Sequence, residues 1–206
     1  MTDFLIDEAA GKEQATLLLA HGAGAPMDSD FMNALAAQLA GQGVRVLRFE
    51  FPYMAERRRS GKKRPPDRAP VLLQAFAEAL DQAGGDNIYI GGKSMGGRMA
   101  TMLAVDRRCR GVICFGYPFH PPGKPENTRL DHLPAMQAPL LICQGERDPF
   151  GNLGEVNSYP LPPGVQLHWL ADGNHDLAPR KASGVSADDN IRSAVMAVMK
   201  FIGRAK

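Results

Sequence analysis

Cysteine is scarce in this sequence, and neither sign of charge dominates it. The three cysteines, Cys109, Cys114 and Cys143, form no CxxC pair and show no metal-ligand spacing. An odd and scattered set of cysteines argues against a disulfide framework and is typical of a reducing compartment. The formal net charge of +2 gives no strong bias toward nucleic acid or membrane surfaces.

Long hydrophobic runs are missing as well. No apolar run approaches the roughly 20 residues that a membrane-spanning helix needs. Residues 1–14 are acidic and polar, and they lack the basic and apolar regions of a signal peptide. We therefore expect a cytoplasmic protein with no membrane partner.

What the sequence does contain is a regular alternation of two patterns. Six apolar runs of strand length lie at residues 15–20, 44–49, 87–92, 111–116, 139–145 and 165–170. Three apolar faces at helical spacing lie between or after them: Phe31, Leu35 and Leu39; Val71, Leu72, Ala75, Phe76, Ala79 and Leu80; and Ile191, Val195, Val198 and Ile202. Residues 94–106 predict a further helix of small residues, and Ser186 or Asp188 would cap the last helix.

This alternation predicts an α/β fold with a mostly parallel central sheet and helices on both faces. Several of the runs are apolar throughout, as expected for strands that are buried on both faces. No internal repeat or break in composition is visible, so we expect a single domain over residues 1–206. The stretch 54–70, named here the basic segment, is polar and predicts an irregular connection.

The segment Gly92-Lys93-Ser94 allows two interpretations. The GK[ST] end of a phosphate-binding P-loop requires a glycine five positions before Gly92, and that position holds Asn87. The pattern G-x-S-x-G, from Gly92 to Gly96, instead predicts a sharp strand-to-helix turn that presents Ser94 as a nucleophile. An apolar run precedes the serine and a helical pattern follows it, so the context favours the second interpretation.

A serine nucleophile needs an acid and a histidine, in that chain order, at the same edge of the sheet. Asp148 follows the run 139–145, and His175 follows the run 165–170. We predict that His175 accepts the proton of Ser94 and that Asp148 orients the imidazole. Backbone amides of Ala23, or alternatively Gly24, and of Met95 would bind the oxyanion.

Other residues compete for these roles. Glu146 is a rival acid, and the rival histidines are His21, His120, His132 and His168. His21 is placed to shape the loop after the first long run, and His168 lies inside a predicted strand. Lys93 is most simply a neighbour of the turn.

With these motifs the chain resembles the α/β-hydrolase superfamily. The resemblance rests on "HGAGAP", "GKSMGG", "GERDPFG" and "GNHDL", which together span nearly the whole sequence. The chain is most similar to small, lid-less dienelactone-hydrolase-like and carboxylesterase-like members, and to predicted hydrolases with "AHGAGAPMDS" and "GGKSMGGR". This implies a serine hydrolase with the triad Ser94, Asp148 and His175 and no cap domain. Dienelactone hydrolases have cysteine at the turn, and many esterases have histidine where Lys93 stands.

We therefore expect hydrolysis of an ester, thioester or similar acyl bond in a small-molecule substrate, without a cofactor or a metal ion. The alternative is a catalytically silent scaffold that binds a partner. The basic segment could serve the hydrolase or the scaffold, because seven cations lie between residues 57 and 68. These cations allow three interpretations: a solvated face, a surface that recruits an anionic substrate, or a surface that binds an acidic partner. Nucleic acid is disfavoured as the partner, because aromatic residues are not interleaved with the cations.

Overall fold

A computed structural model describes residues 2–204 and shows one seven-stranded sheet. The strands are β1 Leu5–Asp7, β2 Ala15–Ala20, β3 Val44–Phe49, β4 Tyr89–Lys93, β5 Gly111–Phe115, β6 Leu140–Gly145 and β7 Val165–Leu170. Their order in the sheet is β1-β3-β2-β4-β5-β6-β7. Only β1 is antiparallel to its neighbour, so the predicted mostly parallel sheet is confirmed. The predicted single domain stays a prediction, and residues 1, 205 and 206 of it lie outside the described residues.

The helices cover both faces of this sheet. They are α1 Asp30–Gly41, α2 Pro52–Ser60, α3 Ala69–Ala83, α4 Met95–Asp106, α5 Leu153–Val156 and α6 Ala187–Arg204. Leu17 and Leu19 of β2 join the core beneath α1 and α6, whereas Leu18 and Ala20 join the core beneath α3 and α4. Since successive strand residues face opposite sides, two covered faces explain why the strand runs are apolar throughout.

Six strands were predicted by their apolar runs, but β1 was missed. Its apolar side chains face solvent on an edge of the sheet, with Leu5 36% and Ile6 42% exposed. A three-residue edge strand buries too little apolar surface to leave a readable pattern. In α3, Val71 was wrongly assigned to the buried face, because it is 46% exposed.

The expectation that the basic segment is irregular was wrong for much of its length. Residues 54–60 belong to α2, which begins at Pro52 and is followed by Gly61 at φ 70°. Proline at the start and a left-handed glycine after the end are helix signals. The residues within α2 do not predict a helix, because only Tyr53 and Met54 are buried and no helical apolar stripe forms.

Because β2, β4, β6 and β7 are parallel, their carboxyl ends lie at one edge of the sheet. The longest connection at this edge, residues 116–139, contains only a 3-10 turn, Leu133–Ala135. The described residues therefore carry no cap domain over the edge, as predicted. A membrane-spanning helix, long and apolar enough to cross a bilayer, is not found among residues 2–204.

Of the two caps predicted for the last helix, Ser186 caps α6, because its hydroxyl accepts a hydrogen bond from the Asp189 amide at 3.1 Å.

Candidate active site

The turn between β4 and α4 holds Ser94 in a strained backbone conformation. Ser94 has φ 51° and ψ −114°, a region that residues with side chains rarely adopt and that costs about 1–3 kcal/mol. The neighbouring glycines permit close backbone approach. A Cβ at Gly92 would lie 2.5 Å from the carbonyl carbon of Gly96, and a Cβ at Gly96 would lie 2.6 Å from the Ala20 oxygen. The crowded turn therefore projects Ser94 from the end of the strand at the start of α4.

The side chains of Ser94, His175 and Asp148, the three candidates from the sequence, form one hydrogen-bonded row. The Ser94 hydroxyl lies 2.8 Å from His175 Nε2, and His175 Nδ1 lies 2.8 Å from Asp148 Oδ2. An ionised carboxylate can only accept, so Nδ1 carries the proton and Nε2 is free to accept from the serine. Asp148 is fully buried, which keeps its interaction with the imidazole away from solvent.

Two further pairs of a hydroxyl and a histidine occur elsewhere. Ser193 Oγ lies 2.8 Å from His168 Nε2, and Thr101 Oγ1 lies 2.8 Å from His132 Nε2. Within residues 2–204, neither of these histidines has a hydrogen-bonded carboxylate on its other nitrogen. Burial lowers the pKa of His132 to about 4, so this imidazole is neutral at pH 7. The carboxylate behind the imidazole therefore distinguishes His175 from these two.

The remaining rivals have other partners. His120 is buried, and its Nε2 lies 3.2 Å from a Glu155 carboxylate oxygen. Glu146 accepts a hydrogen bond from the backbone amide of Asp172 at 2.8 Å and so supports the turn that precedes His175. Neither side chain is joined to Ser94 or His175 by a hydrogen bond in the described residues.

Gln144, at the carboxyl end of β6, was missed by sequence reasoning. Its Nε2 donates to Asp148 Oδ2 at 3.0 Å, and its Oε1 accepts the Tyr117 amide at 2.7 Å. The Phe150 amide donates to Asp148 Oδ1 at 2.8 Å. The buried carboxylate thus receives hydrogen bonds on both oxygens, which fix its orientation toward His175. The available signal was a polar side chain inside an otherwise apolar strand run.

Lys93 connects the turn that presents Ser94 to the loop that carries His175. Its ammonium donates to the His175 carbonyl at 2.7 Å and pairs with the Asp176 carboxylate at 3.2 Å. Lys93 is only 6% exposed, and this burial lowers the pKa of Lys93 while Asp176 opposes the shift. The imidazole itself packs against the Phe150 ring, whose centroid lies 4.3 Å from that of His175. Lys93 therefore supports the histidine through the backbone.

The two amides predicted to bind an oxyanion belong to different segments. Met95 is the first residue of α4, and Ala23 lies in an exposed loop that follows β2. A Cβ at Gly22 would lie 3.7 Å from the Cβ of Ser94, so this loop runs beside the serine. Among the described residues, the amides of Ala23, Gly24 and Met95 have no hydrogen-bond acceptor.

A cavity of about 340 Å³ opens beside Ser94. It is bordered by the loop 22–25, by the apolar rings of Phe31 and Phe150, and by His175. Cavities of about 510 Å³ and 580 Å³ lie elsewhere and are lined by none of the three residues of the row. Chemistry rather than volume therefore identifies the candidate site. No group of three metal-ligating side chains is found within residues 2–204.

Three arginines of the basic segment, Arg57, Arg58 and Arg59, are engaged within the protein. Arg58 binds the carboxylates of both Asp28 and Glu50 at 2.7 Å, and Arg59 binds Glu56 at 2.7 Å. Arg57 donates to a carbonyl of the loop beside Ser94. Residues 62–64 are exposed and form no ion pair with any described residue. Recruitment of an anionic substrate stays a prediction, and it now rests mainly on residues 62–64.

Comparison with known proteins places the chain among hydrolases. A family model described as an α/β-hydrolase domain matches residues 13–203. Similar solved structures include an α/β serine hydrolase without a lid from Xanthomonas campestris, with TM-score 0.71 and 19% identity over 97% of this chain and 89% of that one. Another is Est1E from Butyrivibrio proteoclasticus with ferulic acid bound, with TM-score 0.69 and 15% identity over 98% and 96% of the two chains. At such identities the structural likeness shows the fold, and the predicted fold class is confirmed.

Proposed function

This chain belongs to the α/β-hydrolase domain family, and from that premise we propose that it is a serine hydrolase acting on an ester, thioester or similar acyl bond. The observation that carries the proposal is the hydrogen-bonded row from Ser94 through His175 to the buried Asp148. The strained conformation of Ser94 supports it, because such strain persists where surrounding structure fixes it and is common at reactive positions.

The first half of the reaction forms an acyl-enzyme. The Ser94 hydroxyl attacks the acyl carbon while His175 Nε2 takes its proton, and Asp148 stabilises the imidazolium that results. The amides of Met95 and of Ala23 or Gly24 bind the negative oxygen of the tetrahedral intermediate. The intermediate collapses, the bond to the leaving group breaks, and the imidazolium returns the proton to that group.

Water completes the cycle. His175 Nε2 removes a proton from a water molecule, whose oxygen attacks the acyl carbon bonded to Ser94. A second tetrahedral intermediate forms on the same amides, and its collapse releases the acid and restores the serine hydroxyl. In each half of the cycle, His175 takes a proton from the nucleophile, first Ser94 and then water, and gives it to the group that leaves.

The cavity supports a small acyl substrate. Its volume of about 340 Å³ lies at the lower end of the range typical of small-ligand sites. Phe31 and Phe150 offer apolar walls on which a short aliphatic or an aromatic acyl group can pack. The absence of a cap among the described residues leaves the cavity open, so we expect tolerance of varied leaving groups.

Covalent labelling tests the nucleophile. A fluorophosphonate probe should label the wild-type protein, and mass spectrometry should locate the adduct on residue 94. Ser94→Ala should lose both the labelling and the hydrolysis of 4-nitrophenyl acetate. Ser193→Ala is the matched control, because Ser193 has the same 2.8 Å contact with a histidine. It does not lie in a strand-to-helix turn, and no described carboxylate is hydrogen-bonded to that histidine.

Equal labelling of wild type and Ser94→Ala would refute the assignment. A folded wild-type protein that neither reacts with the probe nor hydrolyses any of a panel of acyl esters would favour the silent scaffold. The exposed cations at residues 62–64 would then be the first surface to examine for an acidic partner.

A further inference from the structure

The loop after β2, residues 21–25 and named here the oxyanion loop, is held through three successive carbonyl groups. The Gly22 carbonyl accepts from His21 Nδ1 at 2.7 Å and, more weakly, from the Tyr53 hydroxyl at 3.4 Å. The Ala23 carbonyl accepts from the Tyr53 hydroxyl at 2.9 Å. The Gly24 carbonyl accepts from Arg57 Nη1 at 3.2 Å. Two of the three donors, Tyr53 and Arg57, belong to α2.

These contacts fix the direction of the amides as well. All peptide bonds among the described residues are trans, so each N–H points away from the carbonyl of the same peptide unit. The Gly22 carbonyl shares its peptide with the Ala23 amide, and the Ala23 carbonyl shares its peptide with the Gly24 amide. In the described chain, Ala23 and Gly24 line the cavity beside Ser94, whereas the three donors do not. The donors therefore hold the carbonyls away from the cavity.

His21 connects the first of these peptides to the start of α2. The Phe51 amide donates to His21 Nε2 at 3.1 Å, so this nitrogen is the acceptor and Nδ1 carries the proton for the Gly22 carbonyl. Burial lowers the pKa of His21, which keeps the imidazole neutral and its two roles fixed. A chain of hydrogen bonds polarises its members, so the Ala23 amide becomes a stronger donor.

We propose that Tyr53 and His21 are positioning residues of the oxyanion hole, which turn and polarise the Gly22–Ala23 and Ala23–Gly24 peptides so that their amides face the intermediate. This inference rests on the proposed function. Neither side chain touches the substrate. Their effect is on the backbone of an exposed loop, whose peptide units could otherwise rotate and present carbonyl oxygens to the developing negative charge.

The proposal predicts a loss confined to the transition state. An oxyanion exists only after attack, so weakening its donors lowers kcat and leaves KM nearly unchanged. Removing an oxyanion donor outright costs about 10²–10³ in kcat. Tyr53→Phe leaves the donors in place and releases only their support, so we expect kcat for 4-nitrophenyl acetate to fall by about tenfold.

Tyr159→Phe is the matched control. Its hydroxyl also donates to a backbone carbonyl, that of Pro125 at 3.0 Å, but it has no contact with the oxyanion loop. The control should keep its kcat, and thermal unfolding of both variants verifies that they are folded. An arylboronic acid, which forms a tetrahedral adduct on the serine, should bind Tyr53→Phe more weakly by the same factor as kcat falls.

A measurement on the wild type provides a second test. When the arylboronic acid is added to ¹⁵N-labelled protein, the amide proton resonances of Ala23 or Gly24 should shift downfield, as expected for a new hydrogen bond to the adduct. An unchanged kcat in folded Tyr53→Phe, or unshifted Ala23 and Gly24 amides in a saturated wild type, would overturn the proposal. A wild type without Ser94-dependent turnover would instead overturn the proposed function, so the two failures are distinguishable.

Discussion

On one side of Ser94 the groups of the candidate site are side chains inside the protein, and on the other side they are backbone amides at its surface. Asp148 is fully buried and Gln144 is fully buried behind it. Ala23 and Gly24, in contrast, are exposed. The acid–base side is therefore fixed by the identity of its residues, whereas the oxyanion side is fixed by the conformation of a loop and by the residues that hold it.

The difference extends to how each side tolerates change. A buried carboxylate with hydrogen bonds on both oxygens cannot lose a partner without leaving a polar group unsatisfied in the interior. A carbonyl in an exposed loop can exchange a lost donor for water, so the same kind of loss costs less stability and appears mainly in the rate. Variants of the acid–base side should therefore lose both stability and rate, whereas Tyr53→Phe on the oxyanion side should lose mainly rate.

The largest effect should follow from breaking the row itself. We expect His175→Ala and Asp148→Asn to lower kcat by about 10⁴-fold, because the serine loses its base or the base loses its orientation. Steady-state hydrolysis of 4-nitrophenyl acetate measures both variants. His120→Ala should retain activity; a greater loss in this variant than in His175→Ala would show that the histidine has been misassigned.

A smaller effect, shared between rate and stability, should follow from removing the support of Asp148. Gln144→Met removes the donor at 3.0 Å from Asp148 and the acceptor of the Tyr117 amide. We expect about 1–3 kcal/mol less stability in urea unfolding, because buried partners are left unpaired, and about a tenfold lower kcat.

Glu146→Gln is the control for this variant. It keeps an acceptor for the Asp172 amide and has no hydrogen bond to Asp148 among the described residues. Both its stability and its kcat should stay near the wild-type values. If Glu146→Gln lost as much activity as Asp148→Asn, Glu146 would have to be reconsidered as the acid.

The smallest effect should come from the basic segment, through long-range attraction. Replacing Lys62, Lys63 and Arg64 with glutamine should lower kcat/KM for an anionic ester by less than about tenfold at low salt. The difference should vanish as salt rises, because the Debye length is already about 10 Å at 0.1 M. A neutral ester provides the control with the same variant.

Arg58→Gln sharpens this comparison. Glu50 and Asp28 already neutralise Arg58 and raise its pKa, so its replacement should change the salt dependence less than the triple variant does. Equal losses for anionic and neutral esters in the triple variant would indicate a structural role. No loss with either would leave residues 62–64 as a solvated surface.

The sequence by itself determined the alternation of strands and helices and the candidates Ser94, Asp148 and His175. Two covered sheet faces require apolar runs, and a serine at positive φ in a crowded turn requires small neighbours, so both leave local patterns. Strand ends at one edge then select the acid and the histidine from their rivals. Such patterns are readable because each depends on residues that are close together in the chain.

Only the tertiary structure decided what holds these residues. Tyr53 reaches the Ala23 carbonyl across 30 positions, and Lys93 reaches the His175 carbonyl across 82 positions. The helix α2 was also evident only in the tertiary structure, because its residues show no helical apolar stripe. Its Tyr53 and Arg57 hold the oxyanion loop. A hydrogen bond from a side chain to a distant backbone carbonyl does not depend on the type of the accepting residue. The accepting position therefore carries no mark in the sequence, and only the packing of the folded chain determines it.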